Sequence, residues 1–211
     1  MESSTRLQIL RAAERLFATQ GIDATSLRQV SSEARQRNTA AAKYHFENKE
    51  LLIRAIFEYR LSVIDARRKK LLKSAESGDR LGDPRELVEI LVRPLAEQAT
   101  GSGSHYVRFL DRVFEYVGHD VTALPGMGGL EEAVAVGRLV TARLPGLTRP
   151  RLRPRIRWAG QLIISALADL EGSQETASPD ELDAESYVAA LIDAVTGMLT
   201  AAETGGPAGE Q

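Results

Sequence analysis

Apolar residues recur along this chain at spacings of three and four, the period of a helix with one buried face, and no stretch alternates in strand fashion. The pattern predicts an all-α fold of about nine helices. Ile9, Ala13, Leu16 and Phe17 make the buried stripe of a first helix over about 4–20, which Gly21 is placed to end. Leu27, Val30 and Ala34 share one face of a very short second helix. Thr25 or Ser26 can cap it, and Ser26 with Gln29 has the spacing of a capping box. Arg35-Gln36-Arg37 reads as a turn, and Asn38 as the cap of a third helix only about two turns long. Ala42 and Phe46, four apart, point inward, so Thr39, Ala40, Lys43 and Tyr44 are expected to face outward.

Asn48 caps a long fourth helix reaching about residue 75, with Leu52, Ala55, Ile56, Tyr59 and Val63 expected inside. This helix is expected to be the only long element joining the first fifty residues to the rest. Arg67-Arg68-Lys69-Lys70 near its end reads as a solvated face, where cations suit a helix C-terminus. Asp83 and Pro84 open a fifth helix over 84–99. The sixth, about 104–118, is apolar over so wide an arc that it should be central; Arg108, Asp111, Arg112 and Glu115 share the remainder. A Gly-rich loop follows over 118–129, then a seventh helix over 130–144. The alternate arginines of RPRLRPRIRW lead into an eighth helix opened by Pro154, with a seam of Ile156, Gly160, Ile163, Leu167 and Leu170. A ninth, about 180–203, repeats the seam with Val188, Leu191, Val195 and Met198. Seams of this kind with small residues beside them suit close helix pairing.

Composition narrows the chemistry. The absence of cysteine among 211 residues excludes disulfides, zinc-thiolate sites and a thiol nucleophile, and suits a cytoplasmic setting. The first residues lack an apolar h-region, so secretion is not expected, and no apolar run is long enough to span a membrane. The net charge of −2 averages unlike parts. Residues 1–50 hold eight Lys/Arg against six Asp/Glu, leaving −4 for the remainder, and Arg28 to Lys49 alone carries five basic residues against two acidic ones. A local basic footprint of this kind fits phosphate contact by one small domain.

The third helix supplies the matching surface. A helix used for burial alone would show plain polarity outside. Small residues beside Lys43 and Tyr44 instead permit close backbone approach, and Lys and Tyr reach phosphates and base edges. Lys49 falls in the first turn of the fourth helix, whose free N–H groups attract anions. Two short helices so arranged make a helix-turn-helix over about 26–46. Arg28, Thr39 and Lys43 are the candidates for base edges.

ILRAAERLFATQG (9–21), ATSLRQV (24–30) and YHFENKELL (44–52) occur in order and at the right spacing. Over residues 5–52 the chain thereby resembles the N-terminal domain of the TetR (tetracycline-repressor-like) family of bacterial transcription regulators. One departure is the turn: the family commonly writes Gly-Val, and this chain has Arg35-Gln36-Arg37, one residue longer.

The resemblance implies a DNA-binding domain over 1–50 and a ligand-binding and dimerisation domain over 51–204; the residues from Gly205 on, 205–211, read as a frayed, disordered tail. It implies a homodimeric repressor on a palindromic double-stranded operator, released by a small-molecule effector. Tyr44, His45 and Lys49 become phosphate candidates, with the helix N-terminus at Thr25 or Ser26 as another. The family's pocket lies among helices 4 to 8, and the aromatic concentration there nominates Tyr106, Phe109, Arg112, Val113 and Trp158. Its last two helices pair with their copies, which assigns the two seams above to the dimer. His45, His105 and His119 stand in no nucleophile or metal-ligand motif, so neither catalysis, a metal nor a cofactor is expected.

Overall fold

The computed structural model describes residues 2–35, 41–118, 131–144, 149–174 and 182–202. These contain nine helices and no strand: α1 (Glu2–Gln20), α2 (Leu27–Glu33), α3 (Ala41–Phe46), α4 (Lys49–Ser77), α5 (Pro84–Ala99), α6 (Tyr106–Tyr116), α7 (Glu131–Ala142), α8 (Arg149–Ser173) and α9 (Ala184–Thr200). Local chemistry sets most of their ends. Gly21, at φ +87°, donates its N–H to the Phe17 carbonyl at 3.0 Å and stops α1. Asn48 accepts from the Leu51 N–H at 2.8 Å, Asp83 from Arg85 at 2.9 Å, and Asp183 from Ser186 at 3.0 Å, each satisfying an orphan donor. α8 departs from expectation. It starts at Arg149 and carries Pro154 inside it, forgoing one backbone hydrogen bond where the proline was expected to open the helix.

α6 is central, packed chiefly against α8 and α1. Its Tyr106 and Phe109 are fully buried with Phe17 of α1 and Phe57 of α4, at ring separations of 5.4 to 6.4 Å. His105 makes no side-chain cap at the start of α6. The cap comes from α8 instead: the buried Glu171 carboxylate accepts from Val107 N–H at 3.2 Å and Arg108 N–H at 2.8 Å. Burial pushes this carboxyl above its usual range, against the pull of the two amides. Glu171→Gln would turn an amide N–H toward one of those donors. We expect it to lower the unfolding free energy by about 1–3 kcal/mol in denaturant melts; unchanged stability would remove the capping role.

Two expectations for α4 are corrected. Tyr59 and Val63 face solvent, because the packed face runs through Ile53, Phe57, Leu61 and Ile64. The basic run is not uniformly solvated either. Arg67 pairs with Glu97 at the surface, but Arg68 is 3% exposed and donates to Asp65 at 2.7 Å, three residues earlier on the same helix.

Nor is α4 the only bridge. Arg60 of α4 grips Glu14 of α1 in a bidentate pair, 2.7 Å from Nε and 2.5 Å from Nη2. Tyr116, at the end of α6, donates to Glu50 in the first turn of α4 at 3.3 Å. α6 also packs directly on α1, with Phe109 stacked on Phe17 at 6.1 Å, so the amino-terminal helices are held by α4 and α6 together.

Candidate nucleic-acid interface

α2 begins as expected, with both halves of the capping box made: Ser26 Oγ accepts from Gln29 N–H at 3.2 Å, and Gln29 Oε1 from Ser26 N–H at 2.7 Å. Val30 and Ser31 form its buried side. Ser31 donates to the Leu27 carbonyl at 3.0 Å and accepts from the Ala42 N–H at 2.9 Å. That one hydroxyl fastens the first turn of α3 onto α2, a role the apolar pattern hid because Ser31 carries no hydrophobic signal. Arg35 follows α2 with φ +54°, the left-handed conformation that glycine adopts at least cost. Arg37, Asn38 and Thr39, the expected turn, cap and base-edge candidate, lie outside the described residues.

Ala42 and Phe46 are buried as expected, at 0% and 5% exposure. Lys43 and Tyr44 are thereby turned out, and His45 lies partly exposed with its ring edge-on to Tyr44 at 5.3 Å. Tyr44 is 80% exposed. Leaving a ring that size in water forgoes roughly 2 kcal/mol of burial. Arg28 and Ser26 are exposed on α2 and at its cap. Arg6 of α1 adds a basic group that periodicity did not single out: its guanidinium lies 5.2 Å over the Phe46 ring.

Two phosphate candidates behave differently. Thr25 is 1% exposed and donates to the Gly21 carbonyl at 2.8 Å, so its hydroxyl belongs to the loop and not to the outer face. Lys49 turns its ammonium back onto the Ile22 and Asp23 carbonyls, at 2.8 and 3.1 Å. Carbonyls just past a helix C-terminus concentrate negative partial charge, which explains the attraction. Lys49 is thus a strut between the α1–α2 loop and α4.

The five effector candidates do not come together. Tyr106, Phe109 and Val113 are fully buried core, Arg112 faces out and pairs with Glu115 at 2.9 Å, and Trp158 is 50% exposed. A cavity of about 210 Å³ lies elsewhere, among α4, α5, α7, α8 and α9. Most of the expected dimer seam is also corrected. Ile163, Leu167, Leu170, Val188, Leu191 and Val195 are all under 7% exposed within one chain, because α8 and α9 use those faces against each other and against α5 and α6. Ile156 is exposed, and Gly160 and Met198 partly so. Among the described residues no group of three or more His, Asp or Glu could hold a metal ion, and no helix is long and apolar enough to cross a membrane.

Residues 9–56 match the family model described as bacterial regulatory proteins, tetR family. Among solved structures, NalD of Pseudomonas aeruginosa, the secondary repressor of the MexAB-OprM multidrug efflux pump, is similar at 24% identity with a TM-score of 0.54; the match covers 91% of this chain and 95% of NalD. An alanine-substituted mutant of HlyIIR is similar at 16% identity and a TM-score of 0.55, over 93% of this chain and 97% of the other. Both likenesses concern the fold. No curated protein matches the sequence significantly. The helix-turn-helix geometry of α2 and α3 falls within residues 9–56, the stretch that is similar to the bacterial regulatory proteins of the tetR family.

Proposed function

We propose that this DNA-binding regulator is a homodimeric repressor. Each copy places α3 in the major groove of one half of a palindromic operator, and a small molecule in the cavity among α4, α5, α7, α8 and α9 releases it. The outward Lys43–Tyr44 face on a helix anchored by Ala42 and Phe46 carries the DNA reading. Lys43 and Arg28, together with Thr39, are the base-edge candidates; Tyr44, His45, Arg6 and the capped start of α2 meet phosphate.

The dimer surface we propose is the outer side of α8 and α9. Tyr187 donates to the Ala166 carbonyl at 3.0 Å, and Arg155 to the Ala201 carbonyl at 2.5 Å, which fixes an antiparallel register. That register sets Trp158 level with Ala194 and Gly197, and Leu162 level with Ala190. All five are exposed, so a large apolar residue on α8 lies beside small ones on α9. A two-fold copy can seat the large residues against the small ones.

Release follows from α4. Arg68 of the cavity wall and Lys49 at the DNA end share that helix, about 28 Å apart along its axis. A ligand favouring one setting of α4 therefore acts on the loop that Lys49 holds.

Two lysine variants test the interface. Lys43→Ala is expected to relax the sequence preference at one operator position, by about 1–3 kcal/mol of discrimination. Lys49→Met is expected to lower unfolding free energy by about 1–2 kcal/mol while leaving the salt slope of operator binding nearly unchanged. If Lys49→Met instead reduced that slope by about one at unaltered stability, Lys49 would be a phosphate contact and not a strut.

A further inference from the structure

The cavity among α4, α5, α7, α8 and α9 is walled largely by the core of the subunit. Val140, Ala159, Ile163, Ile164, Val195 and Leu199 line it, and none is more than 9% exposed. Small residues open the space: an added Cβ at Gly137 or Gly160 would meet nothing within 4 Å. The volume is about 210 Å³. An apolar cavity of about 150 Å³ stays free of water and holds benzene. This one therefore has room for a ring with a short alkyl chain.

The polar side chains of the lining are Arg68 and Thr141, and both are engaged. Arg68 is held by Asp65 at 2.7 Å on its own helix, and Thr141 donates its hydroxyl proton to the Arg138 carbonyl at 2.9 Å. A carboxylate guest would have to draw the guanidinium away from Asp65 or stay unpaired against apolar walls. An ammonium guest would meet no carboxylate among the described residues of the lining. Either ion would shed its water without a partner in exchange, which is costly in apolar surroundings. A hydrocarbon bears no such cost and gains with every methylene buried.

We infer that the cavity selects a compact, uncharged, hydrocarbon-rich ligand on the scale of an alkylbenzene, and rejects ions of both signs. As the chemical class of the effector, this rests on the reading of the cavity as the effector site.

Propylbenzene, phenylacetate and phenethylamine are of similar size and differ in charge. Calorimetry on the full chain should show saturable binding of propylbenzene, at least tenfold tighter than that of either ion. Propylbenzene alone should then weaken operator binding. Gly160→Leu and Gly137→Leu fill the open space from two different helices. Each, once circular dichroism shows it folded, should abolish the binding. Phenylacetate or phenethylamine bound as tightly as propylbenzene, and lost in the folded variants, would overturn the selection for an uncharged guest and leave the cavity as the effector site. Propylbenzene binding that is lost in the folded variants but leaves operator affinity unmoved would support the ligand class and overturn the effector reading. Binding that survives both substitutions, or failure of all three probes to bind, would overturn the inference.

Discussion

Ala194→Arg should yield a folded monomer whose operator affinity is lower by a factor of roughly 10² to 10⁴, the avidity lost when two half-sites are no longer engaged together. Ala194 is exposed, so the longer side chain costs the subunit little. In a two-fold interface the same guanidinium enters twice, facing apolar surface without a partner. Leu162→Glu, at a position 38% exposed, should act alike. Charging Leu167 or Leu191 is a different experiment, since both are buried within one chain and a charge there unfolds the subunit before dimerisation can be judged. Sedimentation of Ala194→Arg checks the prediction. A variant that remains dimeric with full operator affinity would move the interface elsewhere.

The second large effect is expected at the Glu14–Arg60 pair. Glu14 is 4% exposed, and Arg60 stacks over the Tyr106 ring at 5.6 Å while gripping it. Removing one partner leaves the other's charge poorly solvated, so Glu14→Ala should cost about 3 kcal/mol of unfolding free energy. Replacing both partners, Glu14→Met with Arg60→Met, should cost far less, because an apolar pair needs no compensation. The pair joins α1 to α4, so Glu14→Ala should also uncouple the DNA-binding helices from the core and raise hydrogen exchange in α1 to α3. Equal stability of Glu14→Ala and the parent would show the bridge to be incidental.

What the sequence made legible was mostly local. Ser26 with Gln29, Asn48, Asp83 with Pro84, and Gly21 announce helix ends through bonds that span a few residues, and each does that work in the structure. The outward Lys43 and Tyr44 followed from Ala42 and Phe46 by helical spacing alone. Periodicity names a face but not what covers it. The seam of Leu167 and Val195 looked available to a second copy, yet the same chain already covers it. Tyr106 and Phe109 suggested a pocket because Phe17 and Phe57, which fill that space, lie about fifty to ninety residues away in sequence. Long-range polar pairs were invisible for the same reason. Lys49 meets Ile22 and Asp23, and Arg60 meets Glu14, across separations that no local pattern encodes.

Selection from a random duplex pool asks whether two identical helix-turn-helix units read DNA through α3. Such a pair should enrich an inverted repeat whose half-sites are centred about one helical turn apart or a small multiple of it. Enrichment of a single unrepeated site, or of no sequence at all, would contradict it.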